Sequence, residues 1–280
     1  MYQIDSEILR LCYHRIMVRA GWAILLVLVL APGARAADPP DPLAQARLLY
    51  NERQFASAVA AAERIRLTPE LAHRADLIAA RALLELYREG SAADDLNGAR
   101  ERLRRLDPRQ FEPRERTEFI VGLGEALYFD QSFGAAAAIF GAVLDNGVDL
   151  DTPSRERVLD WWAIAIDRET WLRAETAGLT AYERILMRMR DEIAARPDSA
   201  TASYWLAAAA RSQGDLEGAW EAAEAGWVRA SLTPDGGVAL RADLDRLMMV
   251  AIVPERARAT SQPGDALLLE WQKFKERWGN

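Results

Sequence analysis

Few residues in this chain of 280 are of a type that could do chemistry, and their scarcity bounds the function. The single cysteine is Cys12, and the two histidines are His14 and His73. Cys12 and His14 fall in a leader-like segment. The chain after it therefore has no thiol for a disulfide, a zinc or iron–sulfur site, or a cysteine nucleophile. One remaining histidine leaves no His-rich metal site and few His-based triads, and in Leu71-Ala-His73-Arg-Ala75 it reads as a helix-start surface residue. Gly122-Leu-Gly124 has no strand before it and lacks the third glycine of a dinucleotide loop. No Gly-x-x-x-x-Gly-Lys, Gly-x-Ser-x-Gly or His-Glu-x-x-His occurs. Carboxylates are what remain. Asp94 and Asp95 stand ahead of a helix, where acids favour the exposed amides; Asp243 and Asp245, two apart, cannot share one helix face. No metal, cofactor or catalytic residue is expected. The rival is a glycan-acting enzyme built on a helical array, which requires two carboxylates within about 5–10 Å of each other.

With 50% hydrophobic and 28% charged residues, the chain has a globular composition. Its net charge of −7 and pI near 5.1 have the wrong sign for a protein that works by neutralising nucleic-acid phosphates. The cations are nearly all arginine, the only lysines being Lys273 and Lys275.

Residues 21 to 31 form an apolar run preceded by Arg10, Arg15 and Arg19 and followed by Pro32, Gly33 and Ala34-Arg-Ala36. Eleven residues rise about 16 Å as a helix, short of the roughly 30 Å hydrocarbon core. The pattern is that of a secretory signal peptide (1–36) cleaved after Ala36, with Met17 as an alternative start. Its removal takes four arginines and two acids and leaves a charge of −9. The expected location is the bacterial periplasm or the secreted fraction, with no stable membrane insertion after cleavage. An uncleaved leader would instead make a membrane-tethered assembly factor.

After a proline-rich entry (37–42), apolar residues recur at spacings of three and four, and nothing alternates over strand length. Three segments align: Ala46 to Ala58, Gly124 to Ala136 and Ala207 to Ala219. Each has a small residue followed twelve positions later by an alanine, with a polar turn between and an apolar residue three before that alanine. The alanines Ala58, Ala136 and Ala219 are 78 and 83 residues apart, or two units of about 40 each. Weaker copies lie between: helices over 71–88 and from about Leu96 to Asp107, separated by an inserted loop near Arg88 to Asp95, and a fourth unit over 154–196.

This pattern resembles the tetratricopeptide repeat, in which small residues let the two antiparallel helices of a unit approach closely. On that register the third unit supplies Leu123, Gly124, Leu127, Phe133, Ala136 and Phe140. The fifth supplies Leu206, Ala207, Ala210, Leu216, Ala219 and Ala223. Ala62 and Ala223 depart from the usual large residue. The resemblance implies an all-α fold, an α-solenoid of antiparallel helix pairs over 43–232. It also implies a concave groove lined by each unit's first helix, which carries Arg47, Tyr50, Asn51, Arg81, Glu118, Val121, Glu125, Tyr128, Phe129, Tyr204 and Arg211. The function it implies is a non-catalytic scaffold binding a protein or peptide, with the aromatics as anchors and the arginines for acidic groups.

Beyond Thr233-Pro-Asp-Gly-Gly237 the pattern changes. A helix from Ala239 is expected to stop at Val253-Pro254, and a last helix carries Leu267, Trp271, Phe274 and Trp278. Residues 233–280 read as a helical cap on the array. Trp161 and Trp162, adjacent on a helix, point about 100° apart, so one is expected to meet a neighbouring unit or the groove.

Overall fold

Short-range capping chemistry opens helices along the chain. The Asp41 carboxylate accepts from the Leu43 N–H at 3.1 Å ahead of Pro42, and the Glu112 N–H donates to Glu115 ahead of Pro113. Ser199 and Asp215 cap in the same manner, accepting from the Ala202 and Gly218 amides. Proline at the first helical position has no N–H to leave unsatisfied. The computed structural model describes residues 41–146, 150–171 and 175–279; the expected leader and cleavage site lie outside them. Among the described residues every regular element is helical.

The chain divides into two compact units, Asp38–Arg188 and the residues from Met189 on. The N-terminal unit holds α1 (Pro42–Asn51), α2 (Phe55–Ile65), α3 (Ala72–Gly90), α4 (Ala93–Arg105), α5 (Pro113–Phe129), α6 (Phe133–Asp145) and α7 (Thr152–Trp171). Next comes α8 (Glu175–Ala195). The C-terminal unit continues with α9 (Ala200–Ser212), α10 (Leu216–Arg229), α11 (Val238–Leu247), a π turn (Met248–Ile252), α12 (Val253–Thr260) and α13 (Gly264–Trp278).

In the N-terminal unit α2 packs between α1 and α3, α4 between α3 and α5, and α6 between α5 and α7. The odd-numbered helices α1, α3, α5 and α7 also pack directly on one another in succession. Sequential helices thus form adjacent pairs, and the first helices of the pairs share a layer.

The aligned segments repeat at the level of single hydrogen bonds. Arg53, Gln131 and Gly214 each stand two residues before a second helix with positive φ (62°, 60° and 82°). Around each, the next residue's N–H reaches back five positions: Gln54 to Leu49, Ser132 to Leu127 and Asp215 to Ala210, at 2.9–3.0 Å. The small residues sit where the helices touch. Ala46, Ala58, Ala136, Ala207 and Ala219 are fully enclosed, and a Cβ on Gly124 would lie 2.6 Å from the Phe140 ring. The atypical Ala62 and Ala223 are enclosed too.

Two expectations change. The residues near Arg88 to Asp95 do not form a loop: α3 runs on to Gly90, and only Ser91, left-handed at φ 57°, and Ala92 join it to α4. The extra length extends a helix because Leu-Tyr-Arg-Glu, residues 86–89, has good helix propensity and no breaker. Pro254 does not stop the helix from Val238. A π turn widens the backbone at Met248–Ile252, and Pro254 falls in the first turn of α12, where its missing N–H costs little. The expected contact of a tryptophan with a neighbouring unit is present: Trp161 meets Tyr128, Phe129 and Phe140 of the preceding helix pair, while Trp162, also buried, lies against Gly141 and beneath the Arg188 guanidinium.

In the C-terminal unit α11 packs on α9 and α10, and α13 packs on α10 and α12. Trp271 of α13 is 1% exposed, edge-on to Trp220 and Trp227. Trp278, at the end of the same apolar stripe, is exposed.

Candidate functional site

The shared layer of first helices carries a band of charge on helical spacing. On α3 the members are Arg74, Arg81, Glu85 and Arg88, and on α5 Glu115, Glu118 and Glu125. Steps of three, four and seven keep each set on one helix face. α1 adds Arg47 and Tyr50, and α7 adds Arg157.

At the centre of the band Arg81 Nη1 donates to Glu125 Oε2 at 2.9 Å, with both side chains buried, and Nη2 reaches the Tyr50 hydroxyl at 3.5 Å. Gly122 makes room for this, since a Cβ there would lie 3.2 Å from Arg81 Cδ. Burial alone would lower the Arg81 pKa, but Glu125, then Tyr50 and Glu85, reverse this and hold the guanidinium proton more firmly than usual. Burial pushes the Glu125 carboxyl up; Arg81 opposes the shift and Glu85 adds to it. Burial likewise raises the Tyr50 phenol. Glu85, itself buried, accepts from Arg88 Nε at 2.8 Å and from Arg157 at 3.1 Å.

One end of the band is open to solvent. Glu115 accepts from Arg47 at 2.8 Å and from Arg74 at 2.9 Å. Glu118 receives Arg47 at 3.3 Å and Arg114 at 3.5 Å, longer contacts. Three arginines from three successive first helices therefore share two glutamates, and their side chains are 31%, 41% and 79% exposed. Asp151, ahead of α7, is held below the usual carboxylate range by Ser154, with Arg114 and Arg157 assisting.

Beyond the charged band lies an aromatic cluster. Tyr128 meets Phe133 and Trp161 edge-on at 5.2 and 4.7 Å, and Phe129 meets Tyr87 at 4.9 Å. Burial raises the Tyr128 phenol against the influence of Arg168.

Of the eleven groove positions, Arg47, Tyr50, Arg81, Glu118, Glu125, Tyr128 and Phe129 take part in these two clusters. Arg81 and Glu125 are enclosed and bonded to each other, and Val121 is buried in the packing of α5, so none of the three is presented at the surface. Asn51 is exposed at the end of α1. Tyr204 and Arg211 belong to the C-terminal unit, where Tyr204 lies edge-on to Trp205 and Arg211 Nε bonds Glu255 at 2.9 Å. Arg74, Glu85, Arg88, Arg114, Glu115 and Arg157 were missed by sequence reasoning. The charge spacing within α3 and α5 was the available signal, but the extra turns of α3 break the repeat register that would have pointed to it.

No group of His, Cys, Asp or Glu among the described residues could hold a metal ion. Glu85 and Glu125 are close enough to influence each other, and both accept hydrogen bonds from arginine. No described helix is long and apolar enough to cross a membrane. No protein-family model matches the chain, and no curated protein matches it in sequence.

Proposed function

We propose that this chain is a non-catalytic scaffold of tetratricopeptide-like helix pairs, an exported α-solenoid capped by 233–280, that captures an acidic peptide or protein segment on the layer formed by α1, α3, α5 and α7. The observation that carries the reading is the sharing of Glu115 and Glu118 by the solvent-accessible Arg47, Arg74 and Arg114. An incoming carboxylate can replace the long Glu118 contacts without breaking the buried Arg81–Glu125 pair, and charge-assisted bonds to arginine favour it. The buried pair and its tyrosine keep the layer rigid, which lowers the ordering cost of binding.

The test is the double variant R47E/R74E, assayed with a fluorescein-labelled hexaglutamate peptide by anisotropy. Capture is expected to be lost while the helical circular dichroism is kept. Undiminished capture, or no capture by the unmodified chain, overturns the reading. N-terminal sequencing of the exported protein tests the leader, with Ala37 the expected first residue.

A further inference from the structure

A second site is indicated in the C-terminal unit by a cation with no counter-charge. Arg229 ends α10, and its polar contact is with a neutral group: Nε donates to the Ser203 hydroxyl of α9 at 3.3 Å. Among the described residues no carboxylate lies within ion-pair distance of it. Two neighbouring arginines of the same unit are ion-paired and a third has neutral contacts. Arg211 pairs with Glu255 and Arg256 with Glu217, while Arg241 lies over the Trp227 ring and bonds the Trp227 carbonyl. Burial is the sole influence on the Arg229 guanidinium and lowers its pKa, as expected for a partly desolvated cation facing no anion.

Exposed aliphatic residues stand near Arg229 along the chain. Val228, Leu232 and Val238 are 39%, 54% and 74% exposed. They belong to one corner of the chain. Val228 and Leu232 flank Arg229, and the Val228 carbonyl accepts from the Ser231 hydroxyl at 3.1 Å. Val238 follows Gly237, whose added Cβ would lie 2.6 Å from the Ala230 carbonyl oxygen. The one acid of this corner, Asp235, is already occupied by the Thr233 hydroxyl and the Gly237 and Ala239 amides.

We propose that the corner where α10 gives way to α11 docks a peptide segment bearing a carboxylate beside an aliphatic side chain, the carboxylate pairing with Arg229 and the aliphatic group lying on Leu232 and Val238. One partly enclosed cation suits a single carboxylate, whereas anionic lipid surfaces are drawn to clusters of roughly four to eight exposed cations. The helix C-terminus lends Arg229 only modest compensation through its dipole.

The experiment measures anisotropy of the full chain with fluorescein-labelled Gly/Ser peptides carrying a central Leu-Glu-Val or Leu-Gln-Val. The glutamate peptide is expected to bind about tenfold more tightly than the glutamine one, and R229Q to erase that difference. L232S/V238S should weaken the glutamate peptide several-fold, and R47E/R74E, in the other unit, should leave it unchanged. That last arm separates failure here from failure of the scaffold reading. R229Q is expected to keep the wild-type melting temperature, because no ion pair is lost. Equal binding of the two peptides, absence of binding, or unchanged preference in R229Q overturns the proposal. So does a marked drop in R229Q stability, which would make the guanidinium structural. Arg229-dependent association with phosphatidylserine vesicles in place of peptide binding would reassign the corner to lipid.

Discussion

Arg81 and Glu125, 44 residues apart in sequence, are joined at 2.9 Å within the N-terminal unit, both side chains buried. Removing one member of such a pair strands a charge in low dielectric, whereas replacing both with apolar groups of similar volume is often neutral. R81M is therefore expected to cost about 3–5 kcal/mol in urea unfolding, and R81M/E125L to recover most of it. The R81M deficit should also depend on pH. Without Arg81 nothing strong opposes the upward push of burial on Glu125, so its folded-state pKa rises further above the unfolded value. The deficit should be smallest in acid, where the carboxyl is protonated in both states, and should grow as pH rises through the folded-state value. A deficit independent of pH, or a double variant no better than R81M, would contradict this account.

The three equivalent turns make a second prediction. Arg53, Gln131 and Gly214 all adopt positive φ, which costs a residue with a Cβ roughly 1–2 kcal/mol relative to glycine. Nothing lies within 4 Å of an added Cβ at Gly214, so G214A isolates the backbone effect from packing. G214A should lower stability by about 1 kcal/mol, and Q131G should be neutral or stabilising by a similar amount. Thermal melts of the two variants check it; a stabilising G214A would refute the shared turn geometry.

These turns also explain what was legible in the sequence. The alanines Ala58, Ala136 and Ala219 occur in register because each fills the same contact between paired helices, and Gly124 is small because Phe140 occupies the space beside it. Steric constraints of this kind leave a fixed spacing, so the helical pairs could be read directly. The charged band could be read only in part. Arg81 pairs with Glu125 and Arg157 with Glu85 across separations of 44 and 72 residues, which no local period encodes. The continuation of α3 to Gly90 was hidden because the tetratricopeptide-like register led to the expectation of a turn there. The passage through Pro254 was hidden because a π turn has no residue signature comparable to the proline it accommodates.

The loop from α10 to α11 gives a pH-dependent prediction. Asp235 accepts from the Ala239 and Gly237 amides at 2.9 and 3.0 Å and from the Thr233 hydroxyl at 2.7 Å. The Ala239 amide first, then the Thr233 hydroxyl, hold its carboxyl below the ordinary 3.8. A pKa depressed in the folded state stabilises above the unfolded value and ceases to do so as pH falls through the folded one. D235N should therefore be less stable than the unmodified chain at neutral pH, with the gap closing below the ordinary carboxylate range. Parallel thermal melts from neutral pH into acid measure it. A gap that widens in acid would reverse the sign and reject the capping role.

The last helix offers the sharpest separation of packing from hydrogen bonding. Asp245 of α11 accepts from Trp271 Nε1 at 2.8 Å and from Lys275 Nζ at 2.7 Å, and Lys275 also lies over the Trp227 and Trp271 rings. W271A removes a large, fully buried side chain and should cost about 3–5 kcal/mol. D245A keeps the packing but leaves the Trp271 N–H without its acceptor, a loss of about 1–3 kcal/mol. D245N keeps a carbonyl acceptor for the indole while losing the ion pair with Lys275, whose partly exposed geometry makes it worth less. The expected order of damage is thus W271A, then D245A, then D245N. Urea unfolding followed by tryptophan fluorescence gives the order. If D245N were as damaging as D245A, the lysine rather than the indole would be the partner that fixes α13 against α11.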